Sequence, residues 1–191
     1  MRRLALLIGI LTLAAPLTLA QTSTWTSDPA HSGVEFDISH LTVTNVHGHF
    51  GKVAATVQFN AADITKSSVS ATIDVTGVDT AESPRDSVLK SSDFLNIDSF
   101  PNAAFTSTKV EKSGNKLTIT GNLTLRGVTR QVVLDTNGPT APVTGSDQKP
   151  HTTFTATTTI SRNAFGIATM FPAYVAGDDA KLTLHLEVIK Q

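Results

Sequence analysis

The chain has 191 residues, 15 basic against 16 acidic for a formal charge of −1, 40% apolar residues and no cysteine. That length suits one ordinary domain with room for a full core. The near-neutral balance, with no basic stripe beside exposed aromatics, excludes a nucleic-acid partner, and the lack of cysteine excludes both a disulfide framework and a lipid-modified N-terminal cysteine.

Arg2 and Arg3 precede the apolar run Leu4 to Ala15, and the small residues Thr18 and Ala20 follow at the spacing of a cleavage site. This is the pattern of a secretory signal peptide over residues 1–20, too short to remain as a membrane span. It predicts export and leaves residues 21–191 as a single mature domain with 13 basic and 16 acidic residues.

From there period-2 alternation dominates. Val34, Phe36 and Ile38 share one face, and Glu35, Asp37 and Ser39 the other. Val53, Ala55, Val57 and Phe59 repeat the pattern, as do Val69, Ala71, Ile73 and Val75. Leu117, Ile119, Leu123 and Leu125 face one way, and after a tight hairpin expected at Gly127 come Val128, Val132 and Leu134. Phe154, Ala156 and Ile160 alternate with threonines, and Leu182, Leu184, Leu186 and Val188 close the chain. With Trp25 and the run around Phe105 this gives about eight strands, each with one apolar and one polar face, as in antiparallel sheet wetted on one side. A closed barrel of about eight strands holds packed side chains or one small ligand. A two-sheet sandwich would produce the same alternation.

Three segments interrupt the strands. Leu41 to Phe50 reads as a short irregular insertion, and Pro139 to Pro150 as a mobile surface loop rich in Pro, Gly and Ser. Ser83 to Pro101 is the helical part, with Ser83 expected as N-cap, Pro84 at the first helical position and Asp86 at N3 as a cap for free amides. Arg85 then places a cation against the helix dipole, so a carboxylate at the rim or an anionic ligand head is expected beside it. Arg162 and His40 each continue an apolar strand face, and Arg130 falls among Val128, Val132 and Leu134. A polar residue at the end of such a face stands at the mouth of a lumen or turns to solvent; the rim is expected for Arg162 and solvent for Arg130.

Four segments in order resemble the YceI-like family: Trp25 with Asp28-Pro29-Ala30-His31-Ser32, then PRDSVLKSSDFL at Pro84–Leu95, GNLTLRGVT at Gly121–Thr129 and SRNAFGI at Ser161–Ile167. The resemblance runs through nearly the whole mature chain. It implies an all-β, antiparallel, lipocalin-like barrel in the periplasm that binds a polyisoprenoid, an isoprenoid quinone or a fatty amide. The ligand-binding residues expected on this reading are Arg85, Arg162 and His40 at the head group, with Phe50, Phe94, Phe100 and Phe165 closing or lining the tunnel. Its partners would be a long-chain isoprenoid or acyl lipid, the membrane in transient contact and, in a homodimer, a second copy of the chain. The chain departs from the family pattern after Phe50, where Val53 and Ala55 replace an aromatic and a glycine, and at Ala103 and Ala104.

No serine elbow, zinc-protease or phosphate-loop motif is present, so neither catalysis nor a cofactor is expected. The competing reading is a metal protein or enzyme using His47 and His49, with His31 as candidate third ligand, since a lone His-x-His is incomplete. A secreted structural or stress-related barrel with a filled core is the other alternative.

Overall fold

The computed structural model describes residues 22–191, so the leader read over residues 1–20 lies outside the described part. Because each strand presents one apolar face, the sheet must hide a side, and it does so by closing on itself. The strands are β1 (Thr22–Ser27), β2 (Gly33–His40), β3 (Thr44–His49), β4 (Val53–Asn60), β5 (Ser68–Asp74), β6 (Asn102–Ser113), β7 (Lys116–Leu125), β8 (Val128–Asn137), β9 (Val143–Thr144), β10 (Pro150–Ser161) and β11 (Ala176–Lys190). Eight of them form an antiparallel ring in the order β1-β4-β5-β6-β7-β8-β10-β11, and β11 returns to β1. The long β10–β11 ladder runs without a slip from His151 opposite Ile189 to Ser161 opposite Asp179. The fold is therefore the barrel, and the open sandwich is excluded.

β11 carries two neighbours in succession on its other side. Its C-terminal end pairs with β1 through Trp25 and Lys190, and its N-terminal part pairs with β2 from His40 opposite Ala176 to Gly33 opposite His185. The segment Leu41 to Phe50 is not irregular. It turns through Leu41 and Thr42, both at positive φ (51° and 58°), and returns as β3 paired along β2. His40 pairs with Thr44, so the connection has three residues, and two successive positive φ angles are what glycine or asparagine would ordinarily announce. The segment Pro139 to Pro150 likewise contains β9, paired with the start of β10. On β7 the inward face passes through Gly121, where a Cβ would strike the Phe105 ring and lie 2.6 Å from the Thr106 carbonyl. Only glycine lets the β6 bulge between Ser107 and Lys109 lie against it.

The helix α1 spans Ser83–Lys90, capped by Glu82 in extended conformation without a side-chain bond. The expected N-cap is thus one residue late, and Pro84 takes the second helical position. Asp86 does not cap the helix. Its Oδ1 accepts from the amide and hydroxyl of Thr80, at 2.9 and 2.6 Å, and so fastens the helix to the preceding turn.

The interior divides along the barrel axis. One end is packed by Trp25, Val57 and Val188 against Phe59, Phe154 and Leu186, with Trp25 and Phe59 edge to face at 6.5 Å. At the other end α1, the chain that follows it and the loop between Ser161 and Ala176 lie over the ring, and their apolar residues join those of the strands. That end is not filled.

Candidate binding cavity

A cavity of about 300 Å³ occupies the covered end. Val34, Phe36 and Ile38 of β2, Leu123 and Leu125 of β7, and Ala180 and Leu182 of β11 form its walls. Each set is an inward face read at period 2, so the strand alternation itself builds the wall. Leu89 of α1, Leu95, Ile167 and Phe171 form the cover, with Phe94 and Phe171 in ring contact at 5.7 Å. The volume falls at the lower end of about 300–1,000 Å³ seen for small-molecule sites, and the almost wholly apolar lining fits a hydrocarbon better than a polar solute.

Five of the seven residues expected from the sequence line this space: Arg85, Arg162, His40, Phe50 and Phe94. Phe100 and Phe165 lie elsewhere. Phe100 packs over the β7–β8 turn at Gly127, and Phe165 is buried in the core beside a separate, polar depression bounded by Arg130 and Asp135. Arg130 itself is exposed, with its Nε facing the Ala164 carbonyl at 3.3 Å. The alternation could not reveal Phe171, Leu89 or Leu95, which sit outside strands; the helix pattern and the apolar run after Gly166 were the available signals.

The two arginines at the cavity differ in what they have left to give. Arg162 is only 3% exposed, and its guanidinium donates to the carbonyls of Gly177, Ile167, Ala168, Phe171 and Ala176 and to Asn163 Oδ1, at 2.6–3.0 Å. Those acceptors occupy all three of its nitrogens, so Arg162 holds the covering loop in place and has no N–H group left over for a head group. A bulge in β11 between Ala176 and Ala180 turns the Gly177 carbonyl toward it. Asp178 sits in this bulge and accepts from the Asn163 amide at 2.9 Å. Its carboxyl is held below the ordinary value by the Ser161 hydroxyl first, then by the Asn163 amide and the Arg162 charge.

Arg85 donates through Nε to the Thr80 hydroxyl at 2.7 Å and through Nη2 to the Thr80 carbonyl at 2.8 Å. Among the described residues the partner of this first-turn cation is therefore not a rim carboxylate but a buried threonine, whose hydroxyl passes a hydrogen bond on to Asp86. Nη1 meets no acceptor among the described residues, so Arg85 keeps N–H groups for an anion at the rim. His40 is exposed at the end of β2 on the same rim.

The histidines of the metal reading are not brought together. His47 and His49 are exposed on β3, where His47 meets Asp37, while His31 lies by Asp28 and Glu187 toward the far end of β11. There Asp28, His31 and Glu187 bring one donor atom each within 4.8 Å of one another, and His151 joins through Glu187 (2.7 Å) and Asp147 (3.0 Å). The Asp28 carboxylate raises His31 above the ordinary 6.5, and Glu187, then Asp147, raise His151. Bonds from His31 and from His151 hold Asp28 and Asp147, respectively, below the ordinary 3.8. A histidine raised on folding adds stability that is whole below 6.5 and vanishes as pH rises through its folded value. A lowered carboxylate adds stability that is whole above 3.8 and vanishes as pH falls through its folded value. This cluster therefore contributes most between those limits. The urea midpoint is expected to fall from about pH 5.5 to about pH 9, and His151→Gln to remove part of that difference; a midpoint with the same pH slope in the variant would contradict the assignment.

A closed eight-strand antiparallel barrel with a covered apolar cavity at one end is the architecture of lipocalin-like binding proteins. The chain matches the YceI-like domain over residues 25–188 and belongs to that family. It is 37% identical over 169 residues to a UPF0312 protein of Shewanella baltica (strain OS185), covering 86% of each chain. The YceI protein of Campylobacter jejuni superposes with a TM-score of 0.71 at 31% identity, covering 81% of this chain and 90% of that one. A polyisoprenoid binding domain from Saccharophagus degradans, implicated in plant cell wall breakdown, shares the fold at 13% identity with a TM-score of 0.64, covering 90% of this chain and all of that one.

Proposed function

We propose that the barrel binds one long-chain amphiphile of the prenyl or acyl class, with its chain in the cavity and its polar head at Arg85. The observation that carries this is the apolar cavity of about 300 Å³ at whose rim Arg85 has donors to spare. The polyisoprenoid binding domain that shares the fold supports the same class of ligand. The protein acts by binding, without catalysis. The leader pattern at residues 1–20 adds export, with the periplasm as the place of action.

The energetics suit a carrier. Moving a chain out of water gains about 0.8 kcal/mol per methylene, but a chain leaving a bilayer for the cavity is already dry and gains almost none of it. Loading from a membrane is then nearly balanced and reversible. The test is mass spectrometry of organic extracts from natively purified protein, followed by uptake of a prenyl or acyl lipid by the delipidated protein. A prenyl or acyl species at up to one per chain is expected; extracts without any such species, together with failed uptake, overturn the proposal.

A further inference from the structure

Large apolar side chains that remain exposed are concentrated in one place. Of the eight among the described residues, Leu41, Val43, Val88, Met170, Phe171 and Tyr174 line the cavity or stand in the turn and loop beside its lining residues His40, Phe171 and Val175, and only Val133 and Val143 lie elsewhere. The contacts that gather them are explicit. The Leu41 amide donates to the Val175 carbonyl at 3.1 Å, which joins the β2–β3 turn to the loop before β11. Val88 and Phe171 line the same cavity. Val43, Tyr174 and Met170 project furthest, at 82%, 66% and 55% exposure. Neither the turn from Leu41 to Val46 nor the loop from Ile167 to Gly177 contains a charged residue.

We propose that this rim is a membrane-docking surface, on which the barrel rests mouth-down on a neutral lipid bilayer and receives its ligand without passing it through water. The inference rests on the lipid-binding reading above and adds the surface and the partner to it. A contiguous exposed apolar patch marks a site of association, and three features choose a bilayer over a second protein. The patch encircles an opening, so a protein seated there would seal the cavity. Its loops carry an aromatic, Tyr174, of the kind that settles at the headgroup level, among uncharged neighbours that cross the interface at little cost. The patch is also continuous with the apolar cavity wall through Val88 and Phe171, so a chain moving inward meets apolar surface throughout.

The test compares the wild type with V43E/M170E/Y174E, whose three positions lie outside the cavity lining, and with V133E/V143E, which adds acid away from the mouth. Delipidated proteins are sedimented with phosphatidylcholine vesicles carrying a fluorescent polyprenyl lipid, and uptake of that lipid is followed both from the vesicles and from cyclodextrin. The triple variant is expected to lose vesicle association and vesicle-to-protein transfer by about tenfold or more. It should match the wild type for lipid delivered by cyclodextrin, and V133E/V143E should match the wild type throughout. Equal vesicle association in the triple variant, equal losses in both variants, or a wild-type dimer that the triple substitution makes monomeric without any vesicle association, would overturn the proposal. Failure of every protein to take up cyclodextrin-delivered lipid, with rim-dependent vesicle association intact, would instead refute the lipid-binding reading and leave the docking surface standing.

Discussion

Ala180→Phe is expected to weaken ligand binding by about two orders of magnitude while leaving the barrel at least as stable as the wild type. Ala180 is buried on the inward face of β11, between Ile38 of β2 and Ile160 of β10, and faces the cavity. A phenyl ring there occupies empty apolar space, which removes room for the chain and adds contacts to the wall. Displacing about four methylenes of ligand, at about 0.8 kcal/mol each, weakens binding of a lipid delivered from water by about 200-fold. Filling the void stabilises the fold by about 1 kcal/mol, because the cost of a cavity grows with its volume. The two readouts move in opposite directions, so a merely damaged protein cannot imitate the result. Titration with a fluorescent prenyl lipid and urea unfolding check it together. Unchanged affinity in a folded variant would show that the chain does not occupy this space.

Arg162→Met carries the largest expected loss of stability. The side chain removed is the only charged one among the buried residues described, and its partners are five backbone carbonyls and the Asn163 amide oxygen. Methionine fills part of the volume but returns no donor, so the carbonyls of the covering loop stay buried and unpaired. Breaking such a network costs about 3–5 kcal/mol, and the melting temperature should drop by on the order of 10 °C in a domain of this size. Arg162→Lys keeps the charge but offers three donors without the planar fork, and should fall between the two. Thermal and urea unfolding decide the matter; a loss below about 1 kcal/mol would mean the loop is held by other means.

The strands were legible in the sequence because antiparallel sheet wetted on one side carries strict alternation, and Val34-Phe36-Ile38, Val53-Ala55-Val57 and Leu182-Leu184-Leu186 show it plainly. Ring closure was not legible, since alternation reports the faces of a strand and not its neighbours. β3 was hidden because its hairpin turns at Leu41 and Thr42, residues that seldom take positive φ, and because His47 and His49 interrupt the pattern. Parity located Arg162 and His40 at the cavity, and the helix-dipole argument singled out Arg85. Neither could show that Arg162 is saturated by loop carbonyls and Arg85 is not, because that depends on the path of the chain between Ile167 and Ala176. Phe100 and Phe165 were misplaced for the same reason: outside strands, spacing does not say which way an aromatic points.

The last strand touches three others, β10, β1 and β2, and among the described elements it alone joins the start of the barrel to its end. Until residues 176–190 have emerged, β1 lacks one neighbour and β10 its long ladder, so the ring stays an open ribbon with two bare edges. Such distant pairing delays folding. A polypeptide built this way stays threadable until the fifteen residues of β11 arrive, and then shuts in one step.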